Sequence, residues 1–256
     1  MIRIFTNAIV RKPCQEMVNG LTTAELGRPD YFKALEQHRM YVDVLKECGL
    51  QVTILEADSN FPDSTFIEDV ALCTPKCAIV TNPGASSRNG EKHAIKPVLQ
   101  QFYTTIEEIV NPGTLDAGDV MMVGNHFFIG ISERTNHNGA EQLISILQKH
   151  GLTGSKVPLK EMLHLKTGLS YLEQNTLLIS GEFENNQEFE KYSRISVDLN
   201  EQYAANSLWI NGCVLVPLGF NETKNKIEKA GYKTIAVDVS EFQKLDGGLS
   251  CLSLRF

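Results

Sequence analysis

Four pairs of short apolar runs, each pair broken by two or three turn-forming residues, constrain this chain most. Residues 70–74 and 77–81 flank Pro75-Lys76, and residues 120–123 and 126–130 flank Gly124-Asn125. Residues 169–172 and 176–180 flank Glu173-Gln174-Asn175, and residues 208–210 and 213–217 flank Asn211-Gly212. Gly-Asn and Asn-Gly between apolar runs signal tight antiparallel hairpins, because these residues tolerate the left-handed backbone that such turns need. A polar loop follows each hairpin, and in most units a helix and a further strand come next. Residues 138–150 place Ala140, Leu143, Ile144 and Leu147 on one helical face and stop at Gly151. Residues 222–230 stop at Gly231 before a strand at 234–237, and residues 31–48 stop at Gly49 before a strand at 52–55. Apolar spacing with glycine just past the end is a helix-stop signal. A helix at 93–101 precedes a strand at 105–109; the unit around 182–200 shows the pattern least clearly.

The recurring order is strand, strand, helix, strand, which makes this an α/β fold of repeated units. The last unit stops short, at residues 251–256, and a strand at 2–10 completes it by pairing with the C-terminus. Five such units close into a ring. The expectation is one domain over residues 1–256, without a linker.

Polar residues fall at matching entries to the units. Asp63, Glu68 and Asp69 precede the first hairpin, Asp116 and Asp119 the second, and His164 the third. Cys251 follows Gly247-Gly248-Leu249-Ser250 at the entry of the incomplete unit, where two glycines let backbone approach closely. In a ring these entries converge near the axis and bring a thiol, an imidazole and carboxylates together. A thiol needs a base or a positive partner to act as a thiolate. An imidazole serves first as acid and then as base. A carboxylate on the imidazole fixes its tautomer and favours its charged form. The candidate constellation is Cys251, His164 and Asp116, with the remaining acids receiving a cation. Arg88 and Arg134 follow the first and second hairpins at equivalent places and suit a carboxylate clamp.

Each residue has a plainer reading. Cys251 alone suits a small buried hydrophobe, Asp63 a turn residue after Pro62, Glu68-Asp69 a solvated pair, and the arginines the surface. His38 lies on the apolar face of the first helix and reads as packing. His93 and His150 fall at helix ends, His126 in a strand and His137 in a loop. The net charge of −7 argues against a nucleic-acid partner and sits more easily with a cationic small-molecule substrate. The first ten residues are too short and polar for a signal peptide, and no apolar run is long enough to span a membrane. Six scattered cysteines suit reduced thiols in the cytoplasm. Cys73 and Cys77 lie close, but no second pair with zinc spacing follows, so no metal site is expected.

Several motifs together resemble the dimethylarginine dimethylaminohydrolases of the guanidine-modifying superfamily, which includes arginine deiminases. They are Asn19-Gly20-Leu21-Thr22, Gly27-Arg28-Pro29-Asp30-Tyr31, Phe61-Pro62-Asp63-Ser64, Phe66-Ile67-Glu68-Asp69, Leu115-Asp116-Ala117-Gly118-Asp119, Leu163-His164-Leu165-Lys166 and Asp246-Gly247-Gly248-Leu249-Ser250-Cys251. The resemblance spans essentially the whole chain, and the bacterial branch is the closer match. It implies a five-bladed α/β propeller that hydrolyses Nω-methylated arginines to citrulline and a methylamine through a covalent thiouronium. Cys251 then matches the nucleophile, His164 the general acid/base and Asp116 the carboxylate beside it. Asp63, Glu68 and Asp69 match substrate-contacting acids, and Arg88 and Arg134 the clamp. Leu21 matches a lid leucine and Leu245 a backbone-carbonyl contact. No metal or organic cofactor is implied, and a homodimer is left open. Three alternatives stay open: an arginine deiminase, a citrulline or other ureido hydrolase, and a catalytically silent amino-acid-binding protein.

Overall fold

All four hairpins form, and each gains a third strand that runs parallel to its second. The structure is a computed structural model that describes residues 4–256. In chain order the elements begin with β1 (Asn7–Arg11), α1 (Tyr31–Glu47) and β2 (Gln51–Leu55). The first hairpin unit is β3 (Ala71–Cys73), β4 (Ala78–Val80), α2 (Lys92–Leu99) and β5 (Ile106–Glu108). The second is β6 (Val120–Val123), β7 (His126–Ile131), α3 (His137–Lys149) and β8 (Thr153–Pro158). A one-turn helix α4 (Leu165–Gly168) enters the third, β9 (Leu169–Tyr171), β10 (Thr176–Ile179) and β11 (Ser193–Ser196). The fourth is β12 (Leu208–Ile210), β13 (Cys213–Pro217), α5 (Asn221–Lys229) and β14 (Lys233–Val237), followed by α6 (Ser240–Gln243) and β15 (Leu254–Arg255).

Each three-stranded sheet is one blade. The fifth is built from both chain ends: β1 lies between β15 and β2, antiparallel to the first through Ala8↔Arg255 and Ile9↔Leu254, and parallel to the second. The expected strand at 2–10 therefore begins later, at Asn7; Ile2 and Arg3 lie outside the described residues. Turn chemistry explains why the hairpins form. Asn211 and Gly212 have φ of 49° and 96°, the left-handed pair that a two-residue hairpin requires. Glu173, Gln174 and Asn175 all have positive φ, so a three-residue loop is held there without glycine.

Five hydrophobic clusters join the blades pairwise and close the ring. Ile79 packs with Val120 and Phe127 across the first and second hairpin units. Phe128 packs with Leu177 and Ile179 across the second and third, and Leu178 with Trp209 and Val214 across the third and fourth. Leu215 joins Ala8 and Val10, and Ile9 joins Ala78 and Val80. The architecture is a five-bladed α/β propeller.

The third unit departs from the repeat. Two single 3-10 turns, Gly181–Phe183 and Gln187–Phe189, stand where other blades carry a helix. Phe183 and Phe189 are fully buried against Phe128, so two aromatic rings fill the space that a helix covers elsewhere. His137, expected in a loop, opens α3 instead, because Asn136 caps the helix by accepting the Gly139 N–H at 2.8 Å. His38 is buried as packing, and burial lowers its pKa to about 4. Gly139 touches the Thr114 backbone so closely that an added Cβ overlaps that carbonyl. Gly139→Ala is therefore expected to cost about 1–3 kcal/mol through overpacking. A thermal melt checks this, and an unchanged midpoint contradicts it.

Candidate active site

The unit entries converge as the ring requires. One pocket is lined by Asp63, Asp69, Arg88, Arg134, His164 and Cys251, with Leu21 and Leu245 also on its wall. Asp116 stands behind His164, fully buried, with Oδ2 3.2 Å from Nε2. Its Oδ1 accepts the Gly84 N–H at 2.8 Å and its own N–H donates to Thr135 Oγ1, so the carboxylate is fixed before the imidazole meets it. Gly118 allows this packing: an added Cβ there comes within 2.8 Å of Asp69 Oδ1 and 3.2 Å of the His164 ring. Asp69 accepts the Gly118 N–H and a bond from Arg88 Nη1.

Cys251 sits in a 3-10 turn, and its sulfur accepts the Gly248 N–H at 3.3 Å. Burial, then the charges of Glu68 and Asp69, push the thiol up to about 12. The His164 pKa is raised as well, which for a base favours the charged form. Burial lowers it, but Asp119, Asp116 and Asp69 outweigh burial and raise it to about 9. At neutral pH the resting pair is a neutral thiol beside an imidazolium. Asp69, Asp116 and His164 bring ligand atoms within 4.8 Å of one another. Arg88 on Asp69 and the imidazolium itself supply the positive charge this cluster needs.

Of the expected substrate contacts, Glu68 lies off the pocket wall and Arg88 lies on it but is already engaged. Glu68 points beneath the site, where its oxygens meet Ser250 Oγ at 2.8 Å, Lys166 Nζ at 2.6 Å and Arg255 Nη2 at 2.9 Å. Glu68 and Asp69 are neighbours in one tight 3-10 turn, so their side chains diverge. Arg88 reaches the pocket but is buried and committed: it donates to Asp69, to Glu91 through Nε and Nη2, and to the Phe66 carbonyl. Arg134 is freer, with a 20% exposed side chain and one ion pair among the described residues, 3.9 Å to Asp116. Sequence reasoning gave no role to Lys166, which lies within a motif, or to Arg255; both balance Glu68.

The segment carrying Leu21 closes over the pocket. Asp63 Oδ1 accepts the Leu21 N–H at 3.0 Å. Thr22 Oγ1 donates to the Lys244 carbonyl, and the Thr23 N–H donates to Asp246 Oδ2. Asp246 holds φ at 57°, a conformation that Asp tolerates better than most residues. Burial raises the Asp63 carboxyl, while Arg88, the Leu21 N–H and Arg134 pull it down.

Comparisons with known proteins agree with this fold. Residues 91–208 match the arginine deiminase family model. The chain is 52% identical to an N(G),N(G)-dimethylarginine dimethylaminohydrolase of Pseudomonas aeruginosa over 99% of this chain and 100% of that one. It is 30% identical to the Streptomyces coelicolor protein of the same name, over 97% and 96%. A structure of the Pseudomonas enzyme, a cysteine-to-serine mutant complexed with citrulline, superposes with a TM-score of 0.98 over 99% of this chain and 100% of that one. The N-terminal domain of ArgZ, a cyanobacterial arginine dihydrolase, matches at a TM-score of 0.87 and 20% identity over 97% of each chain, which speaks for the fold alone. By full-length identity at this level, the chain belongs to the dimethylarginine dimethylaminohydrolase family.

Proposed function

We propose that the protein hydrolyses Nω-methylated arginines to citrulline and methylamine or dimethylamine. The observation that carries this is the placement of Cys251 in one acid-lined pocket with a His164 already held by Asp116. The substrate guanidinium docks beside Asp63 and Asp69, and Asp116 behind the imidazole and Glu68 below add negative potential. Burial and the charges of Glu68 and Asp69 hold the thiol near 12; a cation beside the sulfur offsets them, so the thiol proton leaves to solvent as substrate binds. The Cys251 thiolate bonds to the guanidinium carbon and gives a neutral tetrahedral adduct. His164, charged at rest, gives its proton to the methylated nitrogen. The amine departs and a thiouronium remains on sulfur. The neutral imidazole then takes a proton from water, whose hydroxide adds to the same carbon. The adduct collapses to citrulline, the carbon–sulfur bond breaks, and the hydroxyl proton returns to sulfur. The net products are citrulline, amine and the proton first released. The steps draw on protein groups and water alone. Six scattered cysteines suit a reducing, cytoplasmic setting.

Steady-state turnover with dimethylarginine, monomethylarginine, arginine and citrulline as separate substrates tests the reading. Turnover of the methylated pair well above arginine is expected. Preference for arginine would make the protein a deiminase, and no turnover of any of the four would leave a binding protein on this scaffold.

Arg134 is placed to read the substrate carboxylate, because its guanidinium lines the pocket with little else to bind. A hydrogen bond to a charged group contributes about 1.5–3 kcal/mol. Arg134→Ala should therefore lower kcat/KM for methylarginine about tenfold to a hundredfold. The decarboxylated analogue should be poor for the wild type and lose little more in the variant. Equal losses with both compounds would show that Arg134 supports the fold or the acids instead.

A further inference from the structure

Asp119 is a fully buried carboxylate that does not line the substrate pocket, yet both sides of the pocket hang from it. Its Oδ1 accepts the N–H of Leu165, the residue after His164, at 2.9 Å. Its Oδ2 accepts Ser132 Oγ at 2.6 Å. Ser132 Oγ in turn accepts the N–H groups of Arg134 and Thr135 at 3.0 and 3.1 Å. One carboxylate thus joins the backbone that aims the imidazole to the loop that carries the free arginine. Gly130 leaves room for it, since a Cβ there meets Asp119 Oδ1 at 2.9 Å.

We propose that Asp119 is a positioning residue that sets His164 and the Arg134 loop relative to each other and holds the imidazole in its charged form. The charge around His164 comes from several elements. Asp69 faces it from the 3-10 turn at 67–70, Asp116 and Asp119 from the second unit entry, and Cys251 from the C-terminal turn. Arg88 stands on Asp69, Arg134 lies 3.9 Å from Asp116, and Lys166, on the same short helix, is paired with Glu68. Asp116 bonds the imidazole directly, and Arg88 offsets Asp69. Apart from the imidazolium itself, Asp119 is offset by hydroxyl and amide dipoles, which leaves its charge acting on the ring. Its burial raises its own pKa, a cost that the nearby imidazolium counters.

The proposal rests on His164 acting as the acid in the hydrolysis proposed above, so the test has one readout that needs no turnover. Asp119→Asn keeps the shape and an acceptor for the Leu165 N–H but removes the charge. The imidazole of His164 is titrated by NMR in the free enzyme, and the pH profile of kcat is measured with monomethylarginine. Both the titration midpoint and the basic limb should fall by roughly one unit or more, the usual effect of removing a nearby opposite charge. A wild-type midpoint and limb in a folded Asp119→Asn overturns the proposal. Ser132→Ala keeps the charge and cuts the tie to the loop. Its KM should rise roughly 2- to 10-fold, the worth of one hydrogen bond, with the His164 midpoint unmoved. If Asp119→Asn does not fold, Ser132→Ala decides: a raised KM supports the tie, and unchanged KM and kcat overturn it. A wild type that turns over no methylated arginine sinks the hydrolysis reading, while the imidazole titration still judges Asp119.

Discussion

Cys251→Ser abolishes turnover of methylated arginine, with kcat lower by about 10⁴-fold or more, the scale seen when a covalent nucleophile is removed. A serine hydroxyl ionises far less readily than a thiol, and this site offers no strong base to help it. At rest the imidazole is already charged, and the neighbours of the sulfur are acids. Substrate binding should survive, because Asp63, Asp69 and Arg134 are untouched. The measurement pairs single-turnover kinetics with calorimetric binding of citrulline. Turnover within tenfold of the wild type would remove Cys251 from the nucleophile's role, and loss of binding as well would point to a collapsed pocket.

His164→Ala is the second large effect, about 10²- to 10⁴-fold in kcat, the usual worth of a general acid/base. In the proposed mechanism both half-reactions pass through this ring, so acid quench and mass spectrometry should find little adduct on Cys251. An adduct that accumulates would confine His164 to the water step. The wild-type pH profile follows from the same group. Leaving-group protonation needs the imidazolium, so kcat should fall as pH rises through about 9. Stability has the same sign. A histidine pKa raised from 6.5 to about 9 stabilises the fold fully below 6.5 and loses that contribution as pH climbs through 9.

Much of this was legible in the residues, and the reasons differ by element. The hairpins show because Gly124, Asn211 and Gly212 require backbone that few residues accept, and that need is local. Helices α1, α3 and α5 show because apolar spacing ends at a glycine. The third blade hides because its helix is replaced by Phe183 and Phe189, whose positions are set by packing against Phe128 in the preceding blade. No window of sequence contains that information. In the site, the ring brings together the residues at the unit entries, so Cys251, His164 and Asp116 meet. The direction each side chain takes is not written in the spacing. Glu68 and Asp69 are adjacent carboxylates, and tertiary contacts send one to Lys166 and Arg255 and the other to Arg88. Asp119 lay in a quoted motif, but its role depends on Ser132 and Leu165 meeting it in space.

The neutral sulfur at the base of an acid-lined cup also sets how the protein discriminates among electrophiles. An uncharged alkylating agent finds a protonated thiol, the slow form for attack. An anionic one must approach Asp63, Asp69 and the potential of Glu68. In the proposed mechanism, a cation that docks there draws the proton off the sulfur and so creates the nucleophile that attacks it. Reactive groups carried on an amidinium thus select their own target among the six thiols of this chain, and charge becomes the first criterion, ahead of shape, in choosing an inhibitor scaffold.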